Sequence, residues 1–145
     1  MCGWKWLELN INSEHTNYGL ILPTGLKRQM TFFKSGRFYI VTRHDSFLAI
    51  EFAKEGVIRE PVVRTLPPIN DFGYRLNSAQ VLIEVTKGVN QANHKFQKNY
   101  VVKEIHYVED DAPPESLYSD MVRELIQILE SDDSLKEINY KYGDD

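Results

Sequence analysis

Few side chains in this sequence have the chemistry for catalysis, and their spacing is unhelpful for it. There is one cysteine, Cys2, and four histidines, His15, His44, His94 and His106. A thiolate acts as a nucleophile only beside a positioned base and an oxyanion site, and no motif marks either. No two histidines stand three or four residues apart, the spacing that sets two ligands on one helix face, so no metal site is expected. The "RHD" at 43–45 puts a base beside a carboxylate, but neighbours in sequence seldom face each other, and Asp45 reads as a helix cap. The glycines form neither a P-loop nor a dinucleotide fingerprint, and there is no serine elbow. The expectation leans away from an enzyme, with no cofactor and no catalytic residue.

The charged and aromatic residues of "RQMTFFKSGRFYIVT" (28–42) are more informative. Two β-rich runs flank "SG", a hairpin signal. With Ser35–Gly36 as a two-residue loop, Lys34 faces Arg37, Phe32 faces Tyr39, Met30 faces Val41 and Arg28 faces Arg43. All eight then share one sheet face. Like charges directly opposite each other destabilise a ribbon by about 0.2–1 kcal/mol per pair. An anion bridging them removes that cost, and a nucleic-acid base can stack on the rings. The expected binding residues are Arg28, Phe32, Lys34, Arg37, Tyr39 and Arg43.

The elements that position these residues read as α+β. "WKWLELNIN" (4–12) alternates as a strand, with "NYGLIL" (17–22) as its partner. "HDSFLAIEFAKEG" (44–56) has cap-like residues at both ends and predicts a short helix after the hairpin. "VIREPVVRTL" (57–66) is extended and edge-like because of Pro61. "AQVLIEVTKG" (79–88) predicts a central strand, "NQANHKFQKN" (90–99) a loop, and "YVVKEIHYVE" (100–109) the last strand. After the "DDAPPE" linker (110–115), Leu117, Met121, Leu125 and Ile128 form the apolar stripe of an amphipathic helix that packs on the sheet. Ser134 and Glu137 make a capping-box pattern that predicts one short further helix. The expected organisation is a single α+β domain over 1–130 and an acidic tail over 131–145. The sheet is expected to be mostly antiparallel, with five to seven strands.

Two resemblances can be placed on these residues. The opening "MCG" is similar over three residues to N-terminal-cysteine families, the class II glutamine amidotransferases and the abasic-site-crosslinking proteins. No oxyanion glycine loop or matching histidine follows, so Cys2 reads as incidental. "FYIVTRHDSFLAIEFAKEGVI" (38–58) resembles the opening strand–helix unit of ADP-ribosyltransferase-like domains, and "QKNYVVKEIHYV" (97–108) resembles their closing strand. That likeness covers about a quarter of the chain. Ile40 stands where those proteins place a nicotinamide-binding His or Arg, and Asn99 where the catalytic glutamate stands. The resemblance therefore implies an altered or degenerate site, and no catalytic residue is carried over.

Composition bounds the rest. The chain has 145 residues and a formal net charge of −4, enough length to bury a core without metal or disulfide. That charge hides a polarity: residues 1–103 hold 14 Lys/Arg against 8 Asp/Glu, and residues 104–145 hold 3 against 13. The single cysteine, and the lack of a visible signal peptide, lipidation motif or long apolar run, point to the cytoplasm and away from membranes. The leading expectation is a small non-enzymatic binding or regulatory protein that engages a protein partner, in the manner of adaptors, inhibitors or immunity-type proteins. The alternatives are single-stranded nucleic-acid binding by the basic aromatic hairpin and the ADP-ribosyltransferase-like reading.

Overall fold

The computed structural model of the chain describes residues 8–11, 14–17, 30–43, 46–54, 60–67, 75–109, 115–131 and 134–140, the first two segments as backbone. Strands β1 (Glu8–Ile11) and β2 (Glu14–Asn17) form a separate antiparallel ribbon, with Glu8 opposite Asn17 and Ile11 opposite Glu14. Glu14–Asn17 thus pairs with the first strand, and the expected partner 17–22 lies, apart from Asn17, outside the described residues. The main sheet comprises β3 (Thr31–Ser35), β4 (Phe38–Arg43), β5 (Ser46–Phe52), β6 (Val62–Leu66), β7 (Val102–Val108) and the two-residue β8 (Lys136–Glu137). Their order is β6-β7-β5-β4-β3-β8. Two helices, α1 (Ser78–Phe96) and α2 (Leu117–Glu130), complete an α+β domain.

The sheet is mostly antiparallel, as expected, but mixed rather than purely so. β3, β4, β5 and β7 pair antiparallel, while β6 and β8 add parallel strands at the two edges. β6 is an edge strand, as Pro61 required.

The short helix expected after the hairpin is instead β5, and the reason is burial. Ser46 to Glu51 are all buried, with Leu48 and Ile50 in the core under the helices and Phe47 and Ala49 in the core of the opposite face. A strand buried on both faces is continuously apolar and shows no alternation. The converse error falls at 79–88, where the expected central strand is the first half of α1. Val81, Val85, Val89 and Ala92 repeat at helical spacing and are all buried. The helix starts at Asn77, whose Oδ1 accepts the Gln80 N–H at 3.1 Å. It continues through most of the expected loop to Phe96.

α1 and α2 pack on the sheet face formed by Val41, Leu48, Ile50, Ile105 and Tyr107. α2 packs on the sheet as expected, but its buried stripe is turned: Met121 and Leu125 are fully buried with Tyr118, Val122 and Ile126, while Leu117 and Ile128 are only partly buried. The helices approach closely at Gly88, where a Cβ would lie 2.5 Å from the Ser119 carbonyl oxygen. The opposite face buries Phe33, Ile40, Phe47, Leu66 and Val108 together with Ile138 and Tyr140. Ile138 and Tyr140 follow β8, so a two-residue strand at Lys136–Glu137 stands where the short helix capped at Ser134 was expected. The Ile138 N–H donates to the Lys34 carbonyl at 2.9 Å, and the Tyr140 N–H donates to Ser35 Oγ at 3.0 Å.

Candidate functional site

The hairpin register decides what the basic residues can do together. Ser35 pairs with Phe38, so the two loop residues are Gly36 and Arg37 rather than Ser35 and Gly36. Gly36 has φ +58°, and Arg37 is not among the residues with positive φ. Positive φ at the first central position alone is the pattern of a type II′ turn, which demands glycine there. The shift places Lys34 opposite Tyr39, Phe32 opposite Val41 and Thr31 opposite Thr42. The expected like-charge pair Lys34–Arg37 does not form.

The six expected binding residues separate accordingly. Lys34, Arg37 and Tyr39 gather at the turn. Phe32 packs against the core under the helices. Arg43 lies at the far end of β4, opposite Ser46. Arg28 lies outside the described residues.

Lys34, Arg37 and Tyr39 form one wall of an open cleft of about 750 Å³. The other side comes from Phe52 and Ala53 at the end of β5, from 97–100 after α1, and from Leu129 of α2. Two ammonium groups, Lys34 and Lys98, and three rings, Tyr39, Phe52 and Tyr100, share this space, while Arg37 stands at its rim with its guanidinium turned to the opposite face. Among the described lining residues there is no acid. The rings form a continuous wall: Phe52 is 6.1 Å from Tyr39 and 4.9 Å from Tyr100, centroid to centroid. Lys34 Nζ sits 5.8 Å from the Tyr39 ring centroid, within cation–π range.

Asn93 holds the 97–100 segment in place. Its Nδ2 donates to the Tyr100 carbonyl at 2.9 Å, and its Oδ1 accepts the Tyr100 N–H at 2.8 Å. Gln97 ends the helix in the left-handed region, φ 55°, and its side chain donates to the His94 carbonyl at 2.8 Å. The Tyr100 hydroxyl donates to Glu130 Oε2 at 2.6 Å. Burial first, and then Glu130, push this phenol far above its ordinary pKa. Tyr100 therefore presents a neutral ring. Glu130 also pairs with Lys98, Nζ to Oε1 at 3.6 Å. Sequence reading missed Phe52, Lys98, Asn99 and Tyr100 as partners of the hairpin. The available signal was "QKNY", a polar and aromatic run following a helix with a left-handed cap.

Behind the turn, on the opposite face, lies a second charged group. Glu51 and Glu104 are direct cross-strand partners on β5 and β7, a like-charge arrangement that costs stability unless answered. Each is answered by two basic side chains. Arg37 Nε lies 3.1 Å from Glu51 Oε1, and Lys103 Nζ lies 3.2 Å from Oε2. A bulge skips Lys103 in the ladder, because Glu51 pairs with Glu104 and Phe52 with Val102. Arg64 Nε donates to Glu104 Oε2 at 2.9 Å. His106, 1% exposed, contacts the same oxygen through Nε2 at 2.6 Å and Tyr140 Oη through Nδ1 at 2.7 Å.

Burial pushes His106 below its ordinary pKa, against the opposing pull of Glu104. For Glu104, burial is the largest single influence and acts upward. The hydrogen bonds and charges of His106 and Arg64 together outweigh it, and the net shift is downward. The consistent assignment is a neutral His106 that donates Nε2–H to the carboxylate and accepts the Tyr140 hydroxyl at Nδ1. The His106–Glu104 contact is then a hydrogen bond rather than an ion pair. The network fastens Tyr140 to β7 and is a structural device.

No cluster of His, Cys, Asp or Glu among the described residues could hold a metal ion. None of the described helices is long and apolar enough to cross a membrane. The strand–helix unit that carried the ADP-ribosyltransferase-like resemblance is here two antiparallel strands, β4 and β5, and Ile40 is fully buried. No protein-family model, curated protein or solved structure matches this chain.

Proposed function

We propose that the chain is a non-enzymatic binding protein that captures an anionic segment of a protein partner in the cleft at the hairpin end of the sheet. The observation that supports this reading is the convergence of Lys34 and Lys98, with Arg37 at the rim, and three aromatic rings around a space free of acidic lining residues among those described. Its volume lies within the range of ordinary ligand sites, about 300–1,000 Å³. A compact cleft suits a side-chain-sized group. Arg43 and Phe32 do not extend it along the ribbon, which argues against a nucleic-acid strand lying over the hairpin.

The test is fluorescence anisotropy with the full chain, a short labelled peptide rich in Asp, Glu and Tyr, and a labelled single-stranded oligonucleotide. We expect the peptide to bind and a Lys34→Glu/Lys98→Glu double variant to lose about tenfold or more, equivalent to about 1.4 kcal/mol. Tighter, steeply salt-dependent oligonucleotide binding lost in the same variant replaces the protein partner with nucleic acid. Equal binding by the variant removes the cleft from the account.

A further inference from the structure

Resting on the reading of the cleft as an anion site, we infer that its anchoring occupant is a planar ring carrying a phosphate, as in a phosphotyrosine side chain of the partner. A bare carboxylate uses only the cations. It leaves the wall of Tyr39, Phe52 and Tyr100 in contact with water. Neighbouring rings at 4.9 and 6.1 Å along that wall offer faces and edges to a further ring in the tilted or offset arrangements aromatic pairs prefer. The Glu130 carboxylate behind Tyr100 is engaged by the Tyr100 hydroxyl and by Lys98.

The cations stand where the substituent of such a ring would reach. Lys34 Nζ stands over the Tyr39 ring, so a ring packed along that wall brings its charged group toward the ammonium. Arg37 supplies a planar fork suited to phosphate oxygens. It is 67% exposed and rests on Phe38, 5.3 Å from the ring centroid. Its present partner, Glu51, is also held by Lys103. Arg37 therefore reaches a ligand in the cleft by swinging round the turn, with Lys103 left to balance the Glu51 carboxylate. A phosphate dianion matches Lys34 together with a redirected Arg37 better than a single carboxylate does.

The experiment is isothermal titration calorimetry of the full chain with phenyl phosphate, inorganic phosphate, 5′-AMP, a phosphotyrosine peptide and the acidic peptide above. Phenyl phosphate is expected to bind about tenfold tighter than inorganic phosphate, the difference being the ring's contact with the wall. Tyr39→Leu, which keeps an apolar side chain but removes the ring, is expected to erase most of that preference. Lys34→Gln should weaken both phosphates together. Equal affinity for phenyl phosphate and inorganic phosphate overturns the ring. If the acidic peptide still binds, the anion-site reading survives alone; if nothing binds, both readings fall. A 5′-AMP affinity above that of the phosphotyrosine peptide overturns the tyrosyl assignment in favour of a nucleotide.

Discussion

His106 shows how one side chain ties burial, hydrogen bonding and pH response together. Its pKa is lowered in the fold, chiefly by burial, so the unfolded chain binds the proton more readily. Stability then rises with pH where the unfolded state holds more protons. From this residue, stability is fully present above the ordinary histidine value, about 6.5, and is lost as pH falls through it toward the lowered folded value. Glu104, whose pKa is also lowered, adds a further loss below the ordinary carboxylate range. We expect the melting temperature to fall between about pH 7.5 and 5.5, with a shallower slope in His106→Gln. An equal slope in that variant assigns the pH response elsewhere. At this scale the sequence showed the hairpin cations and rings but not which of them converge. A one-residue change in the turn moved Arg37 from a cross-strand position to the loop. His106 looked isolated because its partners, Glu104 and Tyr140, meet it only through sheet pairing and the return of the C-terminal segment.

The elements show where local pattern decided the structure and where tertiary burial did. The amphipathic stripe of α2 was legible because one face is apolar and the other charged. β5 was not, because a strand covered on both sides has no alternation, and its flanking polar residues imitate helix caps. α1 was misread for its β-branched valines, although Val81, Val85, Val89 and Ala92 carry helical spacing and Asn77 is a proper cap. The contact of Gly88 with Ser119 makes a specific claim about the helix pair. In an isolated helix, Gly→Ala stabilises by about 1 kcal/mol. Here the added carbon meets backbone at 2.5 Å, and overpacking of this kind costs about 1–3 kcal/mol. We expect Gly88→Ala to lower the unfolding free energy in urea by about 1–2 kcal/mol, whereas a gain would show that the helices are not held together at this point. Asn93 makes a claim about the cleft, since it fixes Tyr100 through two hydrogen bonds. Asn93→Ala is expected to weaken peptide binding severalfold and to reduce the preference for phenyl phosphate over inorganic phosphate.

Across the whole molecule, the charge polarity of the sequence takes on a spatial meaning at the hairpin end. The cleft gathers Lys34 and Lys98 with Arg37 at its rim, while Glu51 and Glu130, the acids paired with these cations, are engaged with basic or hydroxyl partners. A single α+β domain was readable from composition and strand signals, but the mixed sheet was not. Its two parallel edges depend on long connections that no local pattern marks. The most direct test of the cleft is a two-dimensional ¹H–¹⁵N NMR titration of the full chain with phenyl phosphate. We expect shifts concentrated at Lys34–Arg37, Tyr39, Phe52–Ala53 and the 97–100 segment, and absent near Arg43 and the outer face of α1. Shifts centred on Arg43 or on α1, or no shifts from a folded protein, contradict the assignment of the cleft as the binding site.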